Sequence, residues 1–179
     1  MTTDPLEDGD DEDLPLLNVY QVEDEADGRT RHFIGFMDPV LAGAVGLASH
    51  ALIGEFSPRS DGSFDPDSFV VNDEFIAAVT AFLNGQPEHS ADLKDGAVQV
   101  PGQRLYVVDP RNDSPSNQDP PMYDVLGWFQ VDGSGQIVPA SFFYNPEHEW
   151  FSPESGISGL LHNRTFYEYL HPEAHGRSQ

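Results

Sequence analysis

The sequence contains no cysteine, so disulfides, thiolate zinc sites, thiol nucleophiles and iron–sulfur ligation are excluded together. Basic residues are scarce as well. Eight Lys and Arg stand against 31 Asp and Glu in 179 residues, Lys94 is the single lysine, and the formal charge is −23. Direct binding to nucleic-acid phosphates or to anionic lipid needs a basic patch that this composition does not supply. Long apolar runs are missing too. The longest charge-free stretch, Pro39–Gly54, has 16 residues, three of them glycine, between Asp38 and Glu55, too short and wrongly flanked for a membrane span. The N-terminus lacks the basic and apolar segments of a secretory signal, so a cytoplasmic location is expected. Neither a P-loop, a G-x-G-x-x-G stretch nor an H-E-x-x-H pair occurs, and no cofactor is expected.

What is present is enough for a core. Hydrophobic residues make up 38% and aromatics 11%, unlike a chain that stays unfolded for want of apolar surface. The length suits one domain. Residues 1–13 hold seven acids, no base and one large aliphatic side chain, Leu6, and are read as a disordered acidic arm. Residues 14–171 are read as a single domain and 172–179 as a short flexible tail. Beyond residue 28 the chain still has 20 acids against 8 bases, so the domain itself is acidic.

Two helices stand out. In Pro39–Gly54, Asp38 is placed to cap, Pro39 suits the first helical position and Gly54 the left-handed end, which predicts a buried helix with apolar residues all round. In the second, Asn72 caps, Asp73 and Glu74 occupy the first turn, and Phe75, Ile76, Val79, Phe82 and Leu83 recur at helical spacing before Gly85 and Pro87. Strand-like runs cover Leu16–Val22, His32–Met37, Ala97–Val100, Arg104–Val108, Val125–Val131 and Ile137–Tyr144. They read as three hairpins, turning through Glu23–Arg31, Pro101-Gly102-Gln103 and Asp132-Gly133-Ser134-Gly135. The expected fold class is α+β, a single domain with a mainly antiparallel, hairpin-built sheet packed with two or three helices. Pro110–Pro121, with four prolines and no large apolar side chain, reads as a long exposed loop.

Three groupings bear on chemistry. Asp61-Gly-Ser63-Phe-Asp65-Pro-Asp67 spaces oxygen ligands as a calcium loop does, but Pro66 stands where the loop needs Gly and Asn72 where it needs Glu, so a turn-rich connector is the simpler account. His148, Glu149, His162 and His171 gather metal-ligand types within a short stretch; they are the candidate ligands of a metal-dependent enzyme. Glu168 and His171 form a single E-x-x-H pair where a di-iron bundle needs two. Gly156-Ile157-Ser158-Gly159 misses the hydrolase elbow by one residue and reads as a tight turn.

Eleven of the 20 aromatics lie between Tyr123 and Tyr169. Along a strand, Phe142, Phe143 and Tyr144 alternate, so Phe143 faces away from its neighbours. Trp150, Phe151, Phe143, Glu147 and Glu149 together suggest an aromatic patch rimmed by carboxylates, fit for a basic or cationic protein partner. The functional expectation is a noncatalytic acidic binding or accessory module of the immunity, inhibitor or assembly-subunit type. The alternatives are the metal-dependent enzyme and a nucleic-acid mimic. An acidic surface also suits a high-salt interior, independently of any partner.

Overall fold

The computed structural model describes residues 17–35, 49–112 and 119–171. The acidic arm 1–13, the tail 172–179, and residues 39–48 of the expected first helix lie outside them, as do residues 113–118 of the proline-rich loop.

The chain begins with a hairpin. β1 (Asn18–Glu23) pairs with β2 (Thr30–Gly35) in full antiparallel register, Asn18 opposite Gly35 and Glu23 opposite Thr30. The turn closes as its composition predicts, with Asp24 accepting from the Ala26 N–H and Asp27 from the Arg29 N–H. β2 then pairs with β3 (Leu52–Phe56), and β3 with the short β4 (Val70–Val71), giving a four-stranded antiparallel sheet in the order β1-β2-β3-β4.

β3 corrects the first-helix expectation at its C-terminal end. Ser49–Ala51 form one 3-10 turn and Leu52–Gly54 belong to a strand. Gly54, expected as a left-handed helix cap, lies under a neighbouring strand instead: a Cβ there would stand 2.4 Å from the Val70 carbonyl oxygen and 2.5 Å from the Phe69 ring. Local capping signals lose to pairing with β2, which buries Ile53 and Phe56 in the core.

The second helix stands where its pattern puts it. α1 (Asp73–Asn84) is capped by Asn72, whose side-chain oxygen accepts from the Glu74 N–H, and ends at Gly85. The Asn72 amide also donates to the carbonyls of Ser49 and Leu52, so one side chain joins the helix start to the β3 entry. Phe75, Val79, Phe82 and Leu83 are buried.

Two strand expectations fail. Ala97–Val100 overlaps the end of α2 (Ala91–Val98), whose cap, Ser90, accepts from the Leu93 N–H; that Ser-x-x-Leu start outweighs the short β-prone run. β5 (Arg104–Val108) therefore has no local partner and pairs with β6 (Val125–Gln130), Arg104 opposite Gln130 and Tyr106 opposite Trp128. Within Ile137–Tyr144, Ile137 makes a single bridge to Val131 and only β7 (Phe143–Tyr144) pairs with β6. Pro139 offers no N–H and Ala140 has φ of 56°, which interrupts the extended run between them. The result is a three-stranded sheet, β5-β6-β7. A small hairpin, β8 (Phe151–Ser152) with β9 (Gly156–Ile157), and α3 (Arg164–Leu170) complete the described chain.

Three α-helices and antiparallel sheets among the described residues form one α+β domain. A common core unites α1, β3 and β6 with Phe142, Trp150, Leu160, Leu161, Phe166 and Leu170. Among the described residues no helix is long and apolar enough to cross a membrane.

Candidate functional site

The densest polar arrangement in the fold is buried where β5 ends and β6 begins. Asp109 follows β5, Asp124 precedes β6, and the Asp109 N–H donates to the Asp124 carbonyl at 2.7 Å. Asp109 is fully buried. Its Oδ2 accepts from Ser158 Oγ at 2.6 Å and pairs with His148 Nε2 at 2.8 Å, while Oδ1 accepts from the Gly159 and Arg111 N–H groups at 2.7 and 3.1 Å. The Gly159 contact requires glycine, because a Cβ would lie 2.8 Å from the Arg111 nitrogen.

Arg111 ties this carboxylate to the second one. Its Nε donates to Asp124 Oδ1 at 2.9 Å, and its terminal nitrogens donate to the carbonyls of Gly156 and Tyr123 at 2.7 and 2.8 Å. Asp124 Oδ2 takes the remaining donors, Asn112 Nδ2 and Ser155 Oγ. Every buried charge therefore has hydrogen-bonding partners, the condition under which a buried ionic network is tolerated. Burial pushes the Asp109 carboxyl up, but the hydrogen bonds from His148, Ser158, Arg111 and Gly159 together hold it below the usual carboxylate range. Burial pushes His148 down more than the Asp109 carboxylate raises it, so the imidazole is neutral.

The protons follow from these charges. An ionised Asp109 accepts, so His148 carries its hydrogen on Nε2, and Nδ1 accepts from the Tyr144 hydroxyl at 3.1 Å. Tyr144 is itself driven up by burial and stays a neutral phenol. Ser, His and Asp thus meet, but not as a nucleophilic triad. In a triad the imidazole lies between the carboxylate and the hydroxyl that it deprotonates, whereas here Ser158 and His148 share one carboxylate oxygen and the serine hydrogen points to Asp109 rather than to the imidazole. The His148 side chain has no solvent exposure, and the phenol on its other nitrogen is harder to ionise than in water. His148 borders a hollow of about 550 Å³ with Tyr144, Glu149, Phe69, Ile76 and Phe151, but its side chain contributes no solvent-exposed surface there. Chemically, the cluster is a clamp. It fastens the loop after β5, the β7–β8 connection and the β9 end to one another.

The expected ligands His148, Glu149, His162 and His171 do not come together. His148 is committed to Asp109 and Tyr144, Glu149 and His162 are exposed, and His171 is buried with its ring 4.6 Å from Tyr167. Among the described residues no three His, Cys, Asp or Glu side chains are grouped to hold a metal ion. Glu168 pairs with Arg164 at 3.3 Å. In the calcium-like loop, Asp61 accepts from Ser63 and Asp65 from the Asp67 N–H, so these carboxylates brace local turns.

The expected aromatic patch divides. Trp150 is 2% exposed and packs edge-on against Phe75 at 5.0 Å; it belongs to the core, because the β7–β8 connection turns it inward over α1. Phe151 is half-buried against Phe64 and Phe69, both at 5.1 Å. Glu147 and Glu149 are exposed, and Phe143 is 54% exposed, facing away from buried Phe142 as strand alternation predicts.

Phe143 is one end of a row. It stacks on Trp128 at 5.0 Å and 26°, and Trp128 meets Tyr106, 48% exposed, edge-on at 5.8 Å. The register of three strands aligns these rings, Tyr106 opposite Trp128 and Trp128 opposite Phe143. The Arg104 guanidinium lies 4.6 Å from the Trp128 ring centre. Sequence reasoning reached the Phe143 end of this row but not its alignment with Trp128 and Tyr106, and it missed the clamp. The available signal for the clamp was Arg111 itself, an isolated base in a chain that has few, set between Asp109 and Asp124. Comparison with known protein families, curated proteins and solved structures finds no match to this chain.

Proposed function

We propose that this chain is a noncatalytic acidic binding or accessory module, of the immunity, inhibitor or assembly-subunit type, that docks on a basic protein partner in the cytoplasm. The observation that carries the reading is the row Tyr106–Trp128–Phe143, exposed at both ends with Trp128 half-buried between them, on a chain of net charge −23. Aromatic side chains left in water and aligned across strands are the composition of an interface anchor. A strongly negative field accelerates encounter with a positive partner and disfavours a second acidic one. Phe143 remains in the docking surface, Tyr106 and Trp128 replace Trp150, and Glu149 lies instead in the hollow beside Tyr144.

The test is capture from native lysate at low ionic strength with the parent chain and with Phe143→Ala. The expected result is one stoichiometric basic protein, released at molar salt and lost with the variant. Recovery of no such protein at low salt counts against the reading, and elution of the captured protein by competing DNA would redirect it to nucleic-acid mimicry.

A further inference from the structure

The structure already holds one guanidinium against the aromatic row. Arg104 and Tyr106 lie two residues apart on β5 and so share a face, and Arg104 sits over Trp128 with its charged carbon 4.6 Å from the ring centre. That face therefore accepts a planar cation on an aromatic ring in water. The row has further room at its other end. Among the described residues β7 is an edge of the sheet, with no strand paired beyond Phe143. One side of the Phe143 ring is stacked on Trp128 and more than half of the residue is exposed.

We propose that the outer face of β5-β6-β7 recognises arginine side chains of its partner in preference to lysine, the Phe143 end of the row receiving the guanidinium. The proposal rests on the binding-module reading above. Charge complementarity selects the occupant: at −23, two copies of this chain repel, while a cationic segment is drawn in. The choice of arginine follows from desolvation. A guanidinium is planar and weakly hydrated and lies flat on a ring, whereas an ammonium keeps its water more tightly. Three rings are too few to make a whole interface, so they act as an anchor within a larger, charge-steered contact.

The experiment is a titration of the full chain with an arginine-rich and a lysine-rich peptide of equal length and charge, so that long-range attraction cancels in the ratio. The arginine peptide is expected to bind about two- to fivefold more tightly. The preference should vanish in Phe143→Ala and return in Phe143→Tyr, with both variants keeping the parent's melting temperature. Equal affinity for the two peptides, or a preference that survives Phe143→Ala, overturns the arginine assignment and leaves the cationic-partner reading standing. If neither peptide binds even at low ionic strength, the cationic-partner reading falls and takes this proposal with it.

Discussion

The same two strands, β5 and β6, carry charge inward at one end and aromatic rings outward along one face. Around Asp109, two carboxylates and a guanidinium are withdrawn from water and matched donor to acceptor. Along Tyr106, half-buried Trp128 and Phe143, apolar surface stays in water with Arg104 laid over Trp128. Both reverse the usual distribution, in which charges are solvated and large aromatics are enclosed. The reversals differ in what holds them. The clamp is satisfied within the chain and closes three loops. The row is satisfied only in part, with about half of Tyr106 and of Phe143 left in water.

Substitutions separate the two regions by the size of their effect on stability. The largest loss is expected from Asp109→Ala, which leaves His148, Ser158 and two backbone N–H groups buried without their acceptor. Unfolding in urea should show a destabilisation of about 3–5 kcal/mol, and a change under about 1 kcal/mol would mean that the clamp is incidental. Trp150→Ala removes a core ring between Phe75 and Tyr144 and is expected to cost about 3–5 kcal/mol. Partner capture after that change, at a temperature where the variant is folded, should be retained; its selective loss would return Trp150 to the interface.

Acid should weaken the clamp in two stages. The folded chain holds His148 below its ordinary 6.5 and Asp109 below its ordinary 3.8, so in each case the unfolded chain takes up the proton at the higher pH. Both contributions are complete near neutrality. The histidine's is lost as pH falls from 6.5 towards the folded value, and the aspartate's as pH falls further, below 3.8. Urea midpoints measured across this range should decline throughout, and His148→Gln should flatten the upper stage. A parent midpoint that does not change below pH 6.5 would show that the imidazole is not kept neutral.

The smallest stability effect is expected from Phe143→Ala, within about 0.5 kcal/mol because the residue is largely solvated. If its melting temperature drops as far as that of Trp150→Ala, the row is part of the fold and the contrast between the two regions disappears.

The α+β class was readable because it depends on periodicity and turn chemistry. Asn72, the Phe75–Leu83 spacing and Gly85 specify α1 through contacts within a few residues, and the charged turn Glu23–Arg31 joins β1 to β2 in the same local way. The Ser90 cap of α2 was equally local, although a short β-prone run at its end obscured it. Of the candidate site, alternation alone turned Phe143 outward, and composition alone supplied the charge.

Other features had no local cause. β3 replaces the end of an apparent helix because β2 and β4 offer pairing on both sides, and β5 finds β6 across the proline-rich loop. Trp150 and Phe143 have similar chemistry and sit seven residues apart, but only the path of the β7–β8 connection puts one in the core and leaves the other in solvent. The clamp joins residues up to 50 positions apart, Asp109 to Gly159. The sequence by itself determined the negative field, the short-range caps and turns, and the alternation along strands, since each arises from a residue and its near neighbours. Strand partners, the burial of Asp109 and Trp150, and the alignment of Tyr106, Trp128 and Phe143 were decided by tertiary structure, because register and burial depend on which distant segment wins the competition for the same surface.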